Sequence, residues 1–491
     1  MKKKSIYFGG GFREHQVLYM LPILDGFCSK NRIKKIIFEK QLSKSMLNLP
    51  ITRNFLNNYE VTYLPEIELK RSNLILKIRK ISFVLYYLFL SFFVNKKLLL
   101  NRDISWLKIQ LYHSIWDTCI VNNKLKLDKF ELKSQIKSAI QIAQKKIDYD
   151  LIKKDTISHA FIQHTVYSER FLFALLRNSN VKVFVQTKHV LISQKKEIDF
   201  GFKFLDKKIF LESFKRIKEN NLEKYWSDIL VGKSNYLEAR IAANLKNKQS
   251  KLRSKENVIM LHIFRDSPFT NIDRKRIFPD YYTWVLETLR IIKNSKERWI
   301  IRKHPSAERW GENQKVIIKE IFQKVFGNKV PKNIIFEDNQ KSNLLQFKFT
   351  KRLITFSGNS HLESACFGIK PIIISNTTLC DFDKKLFFKP KTFQEYRNFL
   401  LKGSDEDFKI PKLKKILCKR ILFLIHNVIN FGNDVNSFHV FRNDPKKIFK
   451  KLYKKVSIQT QKNYIGLFKI GYNLNDKYIQ SINKKYTKLF H

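Results

Sequence analysis

Glycine and proline are both scarce here, 14 and 11 in 491 residues. That shortage excludes flexible Gly/Ser-rich and stiff Pro-rich linkers. Cysteine is sparse too: Cys28, Cys119, Cys366, Cys380 and Cys418 lie far apart, are odd in number and form no CxxC pair. A disulfide framework and a structural zinc site are therefore not expected, and a reducing, cytoplasmic compartment is. After the lysines of MKKKSIYFGGG no apolar stretch follows, so the start reads as a strand and not as a signal peptide. Fixed-period repeats are missing, as are RNP, helix-turn-helix and zinc-finger patterns. Acidic residues are few, 43 against 95 Lys and Arg, for a formal net charge of +52. A field of that sign attracts polyanions, anionic lipid or phosphorylated ligands. Codon bias toward A and T accounts for part of the lysine excess but not for the acidic deficit.

What is present fits a folded, multidomain chain. Hydrophobic residues make up 44%, enough for a sizeable core. One uncharged apolar run, ISFVLYYLFLSFFV at 81–94, is shorter than the roughly 20 residues of a spanning helix. It reads as a buried helix of a first domain or as an interfacial helix held by flanking lysines. Strand-like runs alternate with helical ones: SIYFGG, IIF and VTYLPE, then HAFIQH and KVFVQ after a long basic helical stretch at about 70–150. The second half repeats the rhythm with VIMLHIF, RWIIRKHP, NIIFED, KRLITFS and KPIIIS, each separated by a helix. This predicts an α/β fold with two Rossmann-like doubly wound domains. The expected division is 1–250 with its helical insertion, 251–400, and helices with a basic tail at 401–491.

In open α/β sheets ligands bind beyond the carboxyl ends of the strands, and several polar groups fall there. IIRKHPS brings Arg302, Lys303, His304 and Pro305 to a strand end, where cations and an imidazole can hold phosphate; a solvated basic turn is the competing reading. ITFSGNSHLESACFG turns from strand to helix through Ser357, Gly358, Asn359 and Ser360. Small residues there let amides and hydroxyls approach an anion, and Glu363, one turn on, can take ribose hydroxyls or cap the helix. HIFRDSPF places Arg265, Asp266 and Ser267 at the cleft, with His262 read as a packed histidine. FEDNQKSN adds Glu337, Asp338 and Ser342, a ribose pocket or a helix cap. In the first half, GGGFREH is not GxGxxG, so a dinucleotide is not supported, but three glycines allow close approach to the backbone. QHTVYSER sets His164, Tyr167 and Glu169 at another strand end.

Through LHIFRDSPF, IFPDYYTWVLETL, RKHPS and ITFSGNSHLESACFGIKPIIIS, about 256–400, the chain resembles the bacterial capsule polysaccharide biosynthesis glycosyltransferases of GT-B type, including capsular Kdo transferases. The resemblance implies that His304, Pro305, Ser357 and Ser360 hold the donor nucleotide, CMP- or UDP-linked. It implies a lipid-linked or growing glycan as acceptor, an anionic inner-membrane surface as the place of work, no specific nucleic acid partner and no cofactor. No DxD motif is prominent, and such enzymes commonly work without bound metal, so no metal is expected. An inverting sugar transfer needs a general base, for which Glu14, His15 and Asp25 are the candidates. Transfer of an alditol phosphate from a CDP donor and a non-enzymatic basic membrane or nucleic-acid binder are the alternatives.

Overall fold

The computed structural model describes residues 4–70 except 10, 13–16, 18–19, 22–23, 26, 29–30 and 49; 74–123; 130–153; and 157–194 except 188–189. It further describes 217–233 except 218 and 232; 256–270; 277–337; 346–374 except 359; and 386–424 except 405. Glu14, His15, Asp338, Ser342, Asn359, Cys380 and the basic tail lie outside the described residues.

Two separate sheets form, one in each half. The first comprises β1 (Ser5–Gly9), β2 (Lys35–Phe38), β3 (Glu60–Tyr63), β4 (Ile157–Ile162), β5 (Lys182–Thr187) and β6 (Val190–Gln194), in the order β3-β2-β1-β4-β5-β6. The first five are parallel; β6 pairs antiparallel with β5. That sixth strand, VLISQ, was not expected from the sequence. The second sheet comprises β7 (Glu256–Met260), β8 (Trp299–Arg302), β9 (Ile334–Glu337), β10 (Thr350–Thr355) and β11 (Ile372–Ile373), all parallel, in the order β11-β10-β7-β8-β9. The connections reverse direction between β1 and β4 in one sheet and between β7 and β10 in the other. These are the switch points where doubly wound sheets open a crevice.

Short, branched and nearly uncharged strands such as KIIF and WIIR are buried on both faces, as parallel sheets require. One face of the first sheet is aromatic. Phe161 and Phe184 stack at 4.7 Å and both meet Phe27 edge to face at 5.3 and 5.5 Å, while Phe8 lies tilted 6.4 Å from Phe161. The other face carries α1 (Leu74–Phe93), α2 (Trp106–Asn122), α3 (Leu132–Ile152) and α4 (Ser168–Asn178). In the second unit α6 (Tyr281–Ile292), α7 (Gln314–Phe326) and α9 (Phe393–Leu401) cover one face. There Trp284 is fully buried and its indole N–H donates to Tyr396 Oη at 3.0 Å, so the large ring brings no unpaired polar atom. Asp280 caps α6 by accepting from Thr283 N at 2.6 Å.

The opposite face is covered by α8 (Ser360–Cys366), α5 (Glu219–Leu230) and α10 (Lys412–Leu424). Here the expected division shifts. The helix at 219–230, assigned to the first domain by its position in the chain, buries Leu222, Tyr225, Trp226 and Ile229 against Val258 and Met260 of β7 and Ile421 and Leu422 of α10. An apolar stripe goes where its partner is, and that partner is in the second half. The two units thus form the doubly wound pair that the strand rhythm predicted.

Candidate functional site

The carboxyl edge of the second sheet is organised by a network of side-chain hydrogen bonds. β7 ends just before His262, whose ring stacks on Tyr281 at 4.8 Å. His262 Nε2 meets the Ser357 amide at 3.2 Å and Thr355 Oγ1 at 2.9 Å. Thr355 Oγ1 donates to Ser357 O at 2.9 Å, and the Ser357 and Tyr281 hydroxyls lie 3.3 Å apart. Gly358 has φ +89°, and a Cβ there would come within 3.0 Å of His262 Cε1. Two reasons therefore favour glycine at this turn: the backbone conformation and the close imidazole. His262, read from sequence as a packed histidine, is the group that ties the β7 and β10 loops together.

β8 delivers the other histidine. His304 Nδ1 accepts the Ser306 amide at 3.1 Å, leaving the ring proton on Nε2. Its ring lies 6.4 Å from that of His262. Gln314, at the start of α7, fixes both strand ends. Its Nε2 donates to His262 O (2.7 Å) and Glu312 Oε1 (2.8 Å), and its Oε1 accepts from His304 N at 2.7 Å. Glu312 Oε1 and Oε2 also accept the amides of Phe264 and Arg265 at 3.0 and 3.1 Å. Burial raises the Glu312 carboxyl, against the lowering by these amides and Gln314. Neither Glu312 nor Gln314 belongs to a motif visible in sequence; their role is set by geometry.

The expected donor residues separate into two groups. His304, Ser357 and Gly358 come together around His262, and Asp266 sits half-buried in the 3-10 turn Phe264–Thr270 that leaves β7. Ser360 and Glu363 follow on α8, where burial raises the Glu363 carboxyl to about 7. Pro305 is half-buried in the turn after β8. Three residues are corrected. Arg302 and Glu337 end the neighbouring strands β8 and β9, are in register, and pair with each other at 3.1 Å. Arg302 is 4% exposed, so its guanidinium joins two strands and is not presented to the crevice. Lys303 pairs within its own loop with Glu308 at 2.8 Å.

The first unit builds its crevice from ions. Gly11, at φ +86°, donates its amide to Glu39 Oε2 at 3.1 Å, and a Cβ there would be 3.3 Å from Gln163 Oε1 and 3.9 Å from His164 Nε2. Lys145 of α3 lies beneath this turn, paired with Glu39, with Glu169 at 2.7 Å and with Asp148 at 3.8 Å. Burial raises the Glu169 carboxyl to about 7 against the lowering by Lys145, and Asp148 to about 6 for the same reasons. Desolvation, followed by the Lys145 charge, lowers His164 to about 4, so this imidazole is neutral near pH 7.

Asp25 is also corrected as a candidate base. It is buried, and Tyr59 Oη donates to its Oδ1 at 2.6 Å. Tyr59 immediately precedes β3, so the contact lies at the amino ends of the parallel strands, opposite the crevice.

The two crevices face one another. Tyr167, in the loop after β4, is half-buried beside Asp266, Arg265 and Tyr281 of the second unit. Its backbone is held at φ 57°, ψ −143° just before α4, a conformation costing about 1–3 kcal/mol for a non-glycine residue. Behind it Arg170 and Asp117 form a buried pair at 3.0 Å. Further contacts close the joint: Arg265 Nη2 donates to Val121 O at 3.4 Å, and Lys96 Nζ to Thr283 Oγ1 at 2.7 Å. Tyr167, Arg265 and Asp266 all stood in motifs visible in sequence, but their meeting across the cleft was not visible there.

No protein-family profile matches the sequence, and the search of curated proteins gives no match. Among solved structures the chain is similar to the β-Kdo 2,4-transferase KpsC of Thermosulfurimonas dismutans, at 10% identity over 55% of this chain and 84% of that one, TM-score 0.31. It is similar to the UDP-GlcNAc 2-epimerase of Methanocaldococcus jannaschii in complex with UDP-GlcNAc and UDP, at 12% identity over 86% and 99%, TM-score 0.27. A glycosyltransferase of Rickettsia africae aligns at 10% identity over 92% and 100%, TM-score 0.25. None of these likenesses bears on activity; the fold is read from the two strand orders.

Proposed function

We propose that the chain is a nucleotide-sugar-dependent glycosyltransferase of GT-B type, acting on a lipid-linked or growing surface glycan at the inner face of the membrane. The observation that carries the reading is the meeting of two crevices, each at the switch point of a doubly wound sheet and each lined by a positive-φ glycine. The donor phosphates bind between the His304 imidazole and the Ser357–Ser360 turn. There His304 Nε2–H and the Ser357 hydroxyl supply donors to the leaving phosphate as its charge grows. Asp266 and Glu363 face the sugar-ribose side. The acceptor enters over Gly11 and His164, and its proton goes to a base on the segment following Gly11, where Glu14 and His15 stand in the sequence. Neither a metal ion nor a cofactor enters this scheme.

Thermal shift against CMP, CDP, UMP, UDP and GDP, with polyphosphate as the charge control, tests it. A ligand that binds only the folded chain raises the melting temperature with its concentration. CMP is the first choice and UDP the next. His304→Ala with Ser357→Ala should abolish the shift, and His304→Ala alone should weaken binding by about 1.5–3 kcal/mol. If polyphosphate shifts the protein as far as every nucleotide does, the site is merely basic and the reading fails.

A further inference from the structure

α1 displays an unusual surface. Leu74, Ile78, Ile81, Leu85, Phe89 and Phe92 recur at helical spacing, and each is more than half exposed. This face is held outward by the other side of the same helix. Tyr87 and Ser91 are buried, and Tyr87 packs edge-on against Phe171 of α4 at 5.7 Å. α3 runs antiparallel beside it, since Gln135 donates to Ser91 O at 3.4 Å and Lys146 Nζ lies 5.3 Å from the Phe83 ring. α3 adds Leu132, Ile136 and Ile140, also exposed, so the patch is two helices wide. Contiguous apolar surface of this extent on a folded chain marks an interaction face.

The charge around it selects the occupant. Lys77, Arg79, Lys133 and Lys137 are exposed on these helices. Neither 74–93 nor 132–147 contains Asp or Glu. A second copy docked on this face would set like charges against like. An anionic surface that also accepts Leu, Ile and Phe satisfies both features, and that combination is a lipid bilayer with acidic headgroups. No helix among the described residues is long and apolar enough to cross a membrane. Contact is therefore in the interface, with α1 lying parallel to the bilayer and its apolar side chains roughly 5–10 Å deep.

We infer that the α1–α3 face is the membrane-docking surface of this chain, inserting its apolar stripe into an anionic bilayer. The inference deepens the membrane placement in the proposed function and rests on it only for location. The occupant follows from the face itself, whether or not a nucleotide binds elsewhere.

The test is co-sedimentation of the full chain with vesicles of phosphatidylglycerol and phosphatidylcholine, against phosphatidylcholine alone. The wild type should pellet with the anionic vesicles, less so as salt rises. Leu85→Ser/Phe89→Ser/Phe92→Ser should lose roughly tenfold or more in partition while keeping its circular dichroism and its nucleotide-induced thermal shift. Lys77→Gln/Arg79→Gln/Lys133→Gln/Lys137→Gln should lose the preference for anionic vesicles. Wild-type binding undiminished in the serine variant overturns the inference. So does a wild type that ignores both vesicles and sediments as a dimer that the serine variant converts to monomer; a second copy then covers the face. Vesicle binding that behaves as expected, with no nucleotide shift, leaves the docking face standing and removes the transferase reading.

Discussion

The two crevices occupy equivalent positions on equivalent sheets, yet they are supported by opposite materials. Beneath Gly11 the first unit has a buried lysine among three carboxylates. Around Gly358 the second unit has two imidazoles, a glutamine amide and hydroxyls, with Glu312 accepting two amides. An ionic support is strong only while complete, because removing one member leaves uncompensated charge in a dry place. A hydrogen-bonded network loses its bonds one at a time and leaves donors and acceptors that fixed strand ends can present to a ligand. Under the proposed function the hydrogen-bonded edge would receive charge from the donor while the ionic edge holds a loop in place.

Four experiments test that contrast. The largest effect is expected from Lys145→Met, which leaves Glu39, Asp148 and Glu169 without their cation. It should cost about 3–5 kcal/mol of stability in a denaturant melt. Gln314→Leu strikes the corresponding support in the second unit and breaks the link between the His262 and His304 strand ends. It should cost about 2–3 kcal/mol and also weaken nucleotide binding, which Lys145→Met followed at a temperature where it remains folded should not. Equal stability costs with equal loss of binding would erase the distinction between the two edges.

Glycine substitutions sharpen the comparison within the second unit. Gly358→Ala meets both the positive φ and the His262 ring, and should cost about 1–3 kcal/mol together with nucleotide affinity. Gly311 also has a positive φ, +71°, but a methyl group there would meet nothing within 4 Å. The same change at Gly311 should cost only about 1 kcal/mol and leave affinity intact. Melting curves with and without nucleotide separate the two.

A further effect concerns pH. The Glu363 carboxyl is raised from 4.5 to about 7 in the folded chain, so folding takes up a proton between those values. The stability this group contributes is present at acid pH and is lost as pH rises toward 7. Glu363→Gln lacks that loss and should gain about 1–2 kcal/mol on the wild type between pH 4 and pH 8. Urea melts at the two pH values give the number, and an unchanged difference would place the carboxylate in water. His164 and His361, lowered to about 4 and about 3, act in the opposite sense but are common to both proteins, so they cancel.

Much of the architecture was legible because it is local. VIM, WIIR, NIIFE and KRLIT announce strands by branched apolar runs, and the helices between them carry the spacing of a half-buried cylinder. Ser357 and His304 were visible because each follows directly from a strand, and strand ends are where doubly wound sheets bind ligands. The antiparallel β6 was missed because VLISQ has no pattern distinguishing it from a loop edge. Helix 219–230 was placed with the wrong unit because an apolar stripe does not name the sheet that will cover it.

By itself, then, the sequence determined most of the element types, the doubly wound character of both halves and the set of polar residues available at strand ends. Tertiary structure alone decided which of those residues are presented to the crevice and which pair with one another. Arg302 and Glu337 look like cleft residues until the register of β8 and β9 sets them opposite one another and they neutralise each other. Asp25 looks like a base until α/β winding carries its helix to the amino ends of the strands. The Lys145 cluster gathers residues 39, 145, 148 and 169, which no local pattern could join. Propensity and periodicity act over a few residues, whereas burial and pairing of charge depend on which distant segment arrives alongside.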